Sequence, residues 1–262
     1  MDEALGFFLP GTGWLHRLNP LPKFLFMIWG VLAPFVLSTV ALPYLIVGQV
    51  LIGLSGGLGR RYLRSLAIGT LPVIASIILV NLFFYPNSTD VIFAIGPLKA
   101  TQEGLDFGLP IAARLVAAVA ATLWFLLSTR PDDLMETLIQ RGAGPKLAFV
   151  VLSTIQTVPR MGAKSRRILD AQQARGLRTS GSVSSRVRAL IPLLGPLVIG
   201  SLNDVRERAL ALEARAFGSS GERTAYRIVA FDAGDRFLTG AAFVALAALP
   251  VYVVARFTGL VG

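Results

Sequence analysis

There is no cysteine anywhere in the 262 residues, and there is a single histidine, His16. The missing thiols exclude disulfides, thiol nucleophiles and Cys-ligated metals. His16 stands beside Arg17 with no cysteine or carboxylate set around it, so it lacks the partners of an ordinary metal site. Capping or orienting the amino-terminal segment is the role expected of it. No Gly-x-x-x-x-Gly-Lys-Ser/Thr loop occurs, so the chain should not hydrolyse ATP. Of the 25 basic residues only four are lysine, a bias that fits a GC-rich genome better than a function.

Charge itself is scarce. Only 15% of residues are charged and 54% are hydrophobic, against roughly 25% charged in soluble domains. Between Lys23 and Arg60 there is no charge at all. That run makes roughly 54 Å of helix, nearly two crossings of a hydrocarbon core about 30 Å thick. Further uncharged runs cover 65–89 and 237–255. The first run breaks at "STVALP" (38–43), which gives expected spans near 22–38, 42–58, 65–84, 107–128 and 237–256. The fourth contains Arg114, expected to snorkel or to face the bundle interior, because residues 115–129 alone reach only about 22 Å. Asp2 and Glu3 stand where a secretory leader would be basic, so none is expected.

The basic residues collect unevenly. "RRYLR" (60–64) holds three arginines, whereas 85–106 holds Lys99 against Asp90, Glu103 and Asp106. The positive-inside rule then places the amino terminus and the 60–64 loop inside, 85–106 outside, 129–236 inside and the carboxyl terminus outside. The same rule accounts for the net charge of +10 without invoking nucleic acid. The expected class is an all-α integral membrane protein of about five transmembrane helices. Its divisions are 1–128 (amino-terminal segment and helices one to four), 129–236 (a cytoplasmic insert) and 237–262 (the last helix).

The insert is too long for a passive loop. "STRPDDLMETL" (128–138) reads as a short helix capped by Ser128, Thr129 or Asp132, and "RGAGP" (141–145) ends it. Residues 146–158 read as an apolar segment and 160–175 as a mostly polar helix stopped by Gly176. "RTSGSVSS" (178–185) is a connection. A last helix from near 186 is expected to be interrupted or kinked at Pro192 and Pro196 and to run to about 216, or on to Gly218. Its seam is Leu202, Val205, Ala209, Leu212 and Ala216, with Asp204 and Arg208 paired on the wet side.

Two endings in this insert match. "AQQARGL" (171–177) and "ALEARAF" (211–217) share Ala171/Ala211, Ala174/Ala214 and Arg175/Arg215 in register. Small residues let a helix end approach another backbone, and arginine offers five donors in a rigid fork. The plainer reading of one such ending is an arginine offsetting the helix dipole beside lipid headgroups. Two in register point to a pair of docking tips.

With these motifs the chain resembles the transmembrane T component of energy-coupling factor (ECF) transporters, the cobalt/biotin-type permease component. The resemblance runs from "LHRLNPLPK" (15–23; Leu15, His16, Arg17, Leu18, Asn19, Pro20 and Lys23) through "STRPDDLMETL" and Pro159 to the two arginine endings. It implies that Ala174-Arg175-Gly176 and Ala214-Arg215-Ala216 end two coupling helices docked in two cytoplasmic ABC ATPase subunits. Ala216 replaces the usual glycine. It also implies a separate S component that binds a vitamin or a nickel or cobalt ion, a prokaryotic cell membrane as location, and no cofactor or catalytic residue in this subunit. Two other readings are an integral-membrane enzyme acting on a lipid or isoprenoid phosphate, and a permease binding solute at Arg114. The spans are almost free of acids, which counts against the enzyme. "LSGG" (54–57) resembles the start of an ABC ATPase signature, but its glycines are better suited to a bend or close helix contact.

Overall fold

In the computed structural model, residues 8–9, 11–86, 91–95, 98–177, 183–219 and 229–258 are described. They form an all-α membrane protein, with helices α1 (Trp14–Arg17), α2 (Pro20–Val36), α3 (Leu42–Gly53), α4 (Gly59–Phe84), α5 (Gln102–Ser128), α6 (Pro131–Gln140), α7 (Pro145–Ala174), α8 (Val183–Ala214) and α9 (Ala233–Phe257). Two compact units divide them. One holds the described residues through Leu138 and from Val229 onward, and the other holds those of Ile139–Ile228.

In the first unit, three stretches are long and apolar enough to cross a membrane: Thr39–Phe84, Gln102–Ser128 and Ala233–Arg256. Pro20–Val36 is a shorter apolar helix. The 46-residue stretch is not straight. Residues Leu54–Leu58 form a wide turn in which Gly57 has φ +89°, and Gly59 follows at φ +54°. Both lie in the left-handed region that costs glycine nothing, so "LSGG" is a bend between α3 and α4. A Cβ at Gly56 would come within 2.7 Å of the Leu15 side chain, so the bend also seats the amino-terminal segment.

α5 is the centre of this unit. Its alanines Ala112, Ala117, Ala120 and Ala121 are buried, and such small residues let neighbouring helices approach closely. Tyr62 of α4 is fully buried, with its hydroxyl within donating distance of the carbonyls of Ala120 (3.3 Å) and Gln49 (3.5 Å). A core of Leu15, Leu58, Tyr62, Leu66, Trp124, Phe125, Leu127 and Leu134 joins α1, α4, α5 and α6. Outward-facing Phe35, Tyr44, Leu71 and Val244 are all exposed, as lipid-facing residues are.

The structure corrects several expectations. Within 85–106, strands β1 (Val91–Ile95) and β2 (Leu98–Thr101) pair antiparallel, Val91 opposite Thr101 and Ile95 opposite Leu98. α5 begins at Gln102 rather than near 107, because the Thr101 hydroxyl accepts from the Gly104 amide and caps it. Arg114 is therefore twelve residues after Gln102 and fourteen before Ser128, midway along the helix. Ser128 and Thr129 do not cap α6, and Asp132 lies inside it. Ser128 is the last residue of α5, and the Arg130 carbonyl accepts from Leu134 with Pro131 at the first helical position.

In the second unit, 146–158 and 160–175 are not separate pieces. They form one 30-residue helix, α7, which passes through Pro159. Likewise α8 starts at Val183 rather than near 186 and continues through Pro192 and Pro196 as one 32-residue helix. Asp204 pairs with Lys164 of α7 (2.7 Å) instead of Arg208. The Ser201 hydroxyl lies 3.7 Å from the Met161 sulfur, and Phe149 stacks obliquely on Phe217 with ring centroids 4.9 Å apart. Of the expected seam, Leu202 and Val205 are exposed, Val205 lines a cavity with Met161 and Lys164 of α7, and Leu212 is half-buried.

Candidate functional site

The two arginine endings have the same backbone geometry. In the first, Leu177 N–H donates to Gln172 C=O (3.0 Å) and Gly176 N–H to Gln173 C=O (2.9 Å). In the second, Phe217 N–H donates to Leu212 C=O (2.9 Å) and Ala216 N–H to Glu213 C=O (2.9 Å). These are the crossed bonds of a Schellman cap, which requires a left-handed residue at the position after the cap. Gly176 supplies it at φ +94° and Ala216 at φ +53°, the one positive-φ non-glycine among the described residues. The helix therefore does not run on to Gly218. α8 ends at Ala214, as α7 ends at Ala174, and Ala216 does the work of glycine at a cost of about 1 kcal/mol.

Arg175 and Arg215 are thus the cap residues of α7 and α8, in matching register. Ala174, Arg175, Gly176, Ala214, Arg215 and Ala216 are all exposed. Neither guanidinium has an ion pair among the described residues. An exposed cation at a helix carboxyl end sits favourably on the negative end of the dipole and keeps its donors for a partner.

The amino-terminal motif divides into a buried part and an exposed part. Leu15, Asn19 and Lys23 are each 2% exposed, Pro20 is buried, Leu18 is half-buried, and Arg17 faces outward. His16 is directed through Nε2 to the Leu9 carbonyl (2.9 Å), with the Phe8 ring edge-on at 6.0 Å, so it orients the preceding segment. The Asn19 carboxamide oxygen accepts from Leu21 N–H and caps α2. Its Nδ2 donates to the Ala230 carbonyl (3.0 Å), and its backbone N–H donates to the Asp235 carboxylate (3.1 Å). Lys23 Nζ donates to the carbonyls of Leu15 (3.1 Å) and Ser128 (3.3 Å).

Asp235 was missed in the sequence. It also accepts from Asp232 N–H (3.1 Å) in a reciprocal capping box at the start of α9. The readable signal was an Asp-x-x-Asp spacing just before the last apolar run. Arg114 is half-buried, and its Nε is buried with no hydrogen-bond partner among the described residues.

A family model described as "Cobalt transport protein" (CbiQ) matches residues 11–226. The chain is a member of that family. Curated relatives extend the likeness to nearly the full length. The energy-coupling factor transporter transmembrane protein EcfT of Bacillus subtilis is 31% identical over 247 residues, covering 90% of this chain and 92% of its own. The EcfT protein of Thermosediminibacter oceani is 31% identical over 264 residues, covering 95% and 96%. That of Heliobacterium modesticaldum is 30% identical over 250 residues, covering 91% and 92%. The resemblance seen in the motifs is thus family membership. The chain is an ECF-type transmembrane transport component, and a prokaryotic membrane is its setting.

Proposed function

We propose that this subunit couples ATP hydrolysis by two cytoplasmic ABC ATPase subunits to uptake of a vitamin or transition-metal ion carried by a separate S component. The observation that carries the reading is the matched pair of Schellman-capped arginines, Arg175 on α7 and Arg215 on α8. A helix end fixed by two crossed hydrogen bonds is a rigid tip. Two related ATPases need two such tips, and the ending occurs twice. The relatives' name, energy-coupling factor transporter transmembrane protein, supports the coupling role and a non-enzymatic one. The exposed apolar residues of α8, among them Leu194, Val198, Leu202 and Val205, suit contact with a membrane-embedded partner such as the S component. The basic 60–64 segment supports a topology with the amino terminus and α7–α8 inside and the carboxyl terminus outside.

The test is co-purification. Coexpressed with its ATPases, the wild-type chain should retain two ATPase subunits. A desolvated charge-assisted contact is worth about 2–5 kcal/mol at an interface, at least about 30-fold in affinity. Arg175→Ala or Arg215→Ala should each weaken retention by that order, and the double variant should release both ATPases. Arg→Lys should rescue poorly, because an ammonium lacks the planar fork. Arg178→Ala should behave as wild type. Full retention by the double variant would return both endings to the lipid-facing reading.

A further inference from the structure

Within the Ile139–Ile228 unit, α7 and α8 touch at two places. Met161 and Lys164 meet Ser201 and Asp204, and Lys164 lies over Gly200, where a Cβ would come within 2.7 Å of its Cε. Further along, Phe149 stacks on Phe217. Between these contacts the two helices leave a slot of about 480 Å³, lined on α7 by Val150, Thr154 and Val158 and on α8 by Arg208. A second hollow of about 530 Å³ adjoins it, sharing Thr157, Met161 and Arg208 and adding Arg160, Lys164 and Arg167.

The two ends of this groove differ in chemistry. The first end is apolar, and Thr154 and Thr157 donate their hydroxyl protons to the carbonyls of Val150 and Ser153, on their own helix. The second end is basic. Its one acid, Asp204, is held by Lys164 at 2.7 Å. Arg160 reaches only Gln156, at 3.4 Å, and Arg167 and Arg208 have no hydrogen bond or ion pair among the described residues. Arg208 stands at the junction and is half-buried. It lies outside the last turn of α8, so the helix dipole does not account for its place. A cation partly withdrawn from water gains most from an anion brought to it.

An apolar end, a cationic junction and a cationic end match an amphiphile with a negative headgroup. The length fits as well. From Phe149 to Arg167 α7 rises about 27 Å, and a lipid of one leaflet is about 20 Å long, half of a bilayer about 40–45 Å thick. In sequence the unit lies between the apolar spans Gln102–Ser128 and Ala233–Arg256, so bilayer lipid is the amphiphile always at hand. With Asp204 engaged by Lys164, the groove offers no free carboxylate for the amine of a zwitterionic headgroup.

We infer that the groove between α7 and α8 binds an anionic phospholipid, with its phosphate on Arg208, its headgroup towards Arg160 and Arg167, and an acyl chain along Phe149, Val150 and Val158. The site is separate from the two arginine endings and does not depend on the coupling role.

The experiment places the full chain in nanodiscs of phosphatidylcholine containing a little phosphatidylglycerol with a diazirine in one acyl chain. Adducts formed on irradiation are located by peptide mass mapping. Wild type should be labelled within residues 149–161, and phosphatidylcholine carrying the same diazirine should label that stretch at least about tenfold less. Arg208→Gln, which removes the charge, should lower phosphatidylglycerol labelling by a similar factor. Thr154→Trp, which crowds the apolar end and leaves every arginine in place, should lower it too. Arg206→Ala removes an exposed charge from the same helix outside the groove and should be labelled like wild type. Equal labelling of wild type by the two lipids, undiminished labelling of Arg208→Gln, or an equal loss in Arg206→Ala would overturn the site. So would a wild-type chain labelled only outside 149–161, since the groove would then belong to another occupant, such as a protein helix. Every reading is taken on this chain without ATPase subunits, so a failure of the coupling reading leaves the result standing.

Discussion

Replacing Ala216 by glycine should tighten the end of α8. Ala216 holds φ +53°, a conformation that costs an L-residue with a Cβ about 1 kcal/mol and glycine essentially nothing. The two crossed hydrogen bonds from Phe217 to Leu212 and from Ala216 to Glu213 exist only while that conformation holds. Relieving the strain by about 1 kcal/mol shifts the local closed-to-open ratio about fivefold. Some of that gain is offset, because glycine also widens the open ensemble. The assay is amide hydrogen exchange of the peptide covering Leu212–Gly218, read by mass spectrometry in the ATPase-bound complex. Ala216→Gly should slow exchange at residues 216 and 217 by up to about fivefold. Ala216→Val should speed it, since a β-branched residue suits a positive φ still less. Faster exchange in the glycine variant would refute the left-handed cap and return Ala216 to an ordinary helical residue.

Cysteines can be introduced singly into this cysteine-free chain. Those at Arg61 and Ser219 should be labelled by a membrane-impermeant maleimide only from the cytoplasmic side, and one at Gln102 only from outside. Labelling of position 219 from outside would place both arginine endings in the wrong compartment. The Lys164–Asp204 pair is partly open to solvent, at 30% and 54% side-chain exposure. Asp204→Asn should therefore cost under about 1 kcal/mol of stability, less still in high salt, as denaturant unfolding of the solubilised protein would read.

The membrane class and the helix positions were legible because long uncharged runs have few other uses in a folded chain. Both arginine endings were legible too, since the Ala-Arg pair repeats in register and Gly176 marks a helix stop. What sequence misjudged were continuities. Pro159 read as a break and Pro192 and Pro196 as an interruption or a kink, yet α7 and α8 are continuous through all three. A proline removes one backbone bond, and a helix of 30 residues or more retains most of the others. Ala216 read as a departure that left the helix end open, because propensity alone cannot show that an alanine is held left-handed. The pairing of Asp204 was assigned along its own helix, whereas its partner lies forty residues upstream on α7. The same limit hid the contact between the cap of α2 and the start of α9. Asn19 and Asp235 are separated by 216 positions, and only the fold puts them 3.1 Å apart.

The most direct test of the coupling account is site-specific photo-crosslinking. A benzophenone amino acid replaces the exposed Gln173 or Glu213, or both, two residues before the arginines and leaving these intact, in membranes containing the ATPases, and adducts are sized after irradiation. The account predicts that each position alone captures one ATPase subunit, and that the doubly substituted chain yields an adduct carrying two. Adducts to lipid alone at both positions, or capture of an ATPase from only one of them, would contradict it.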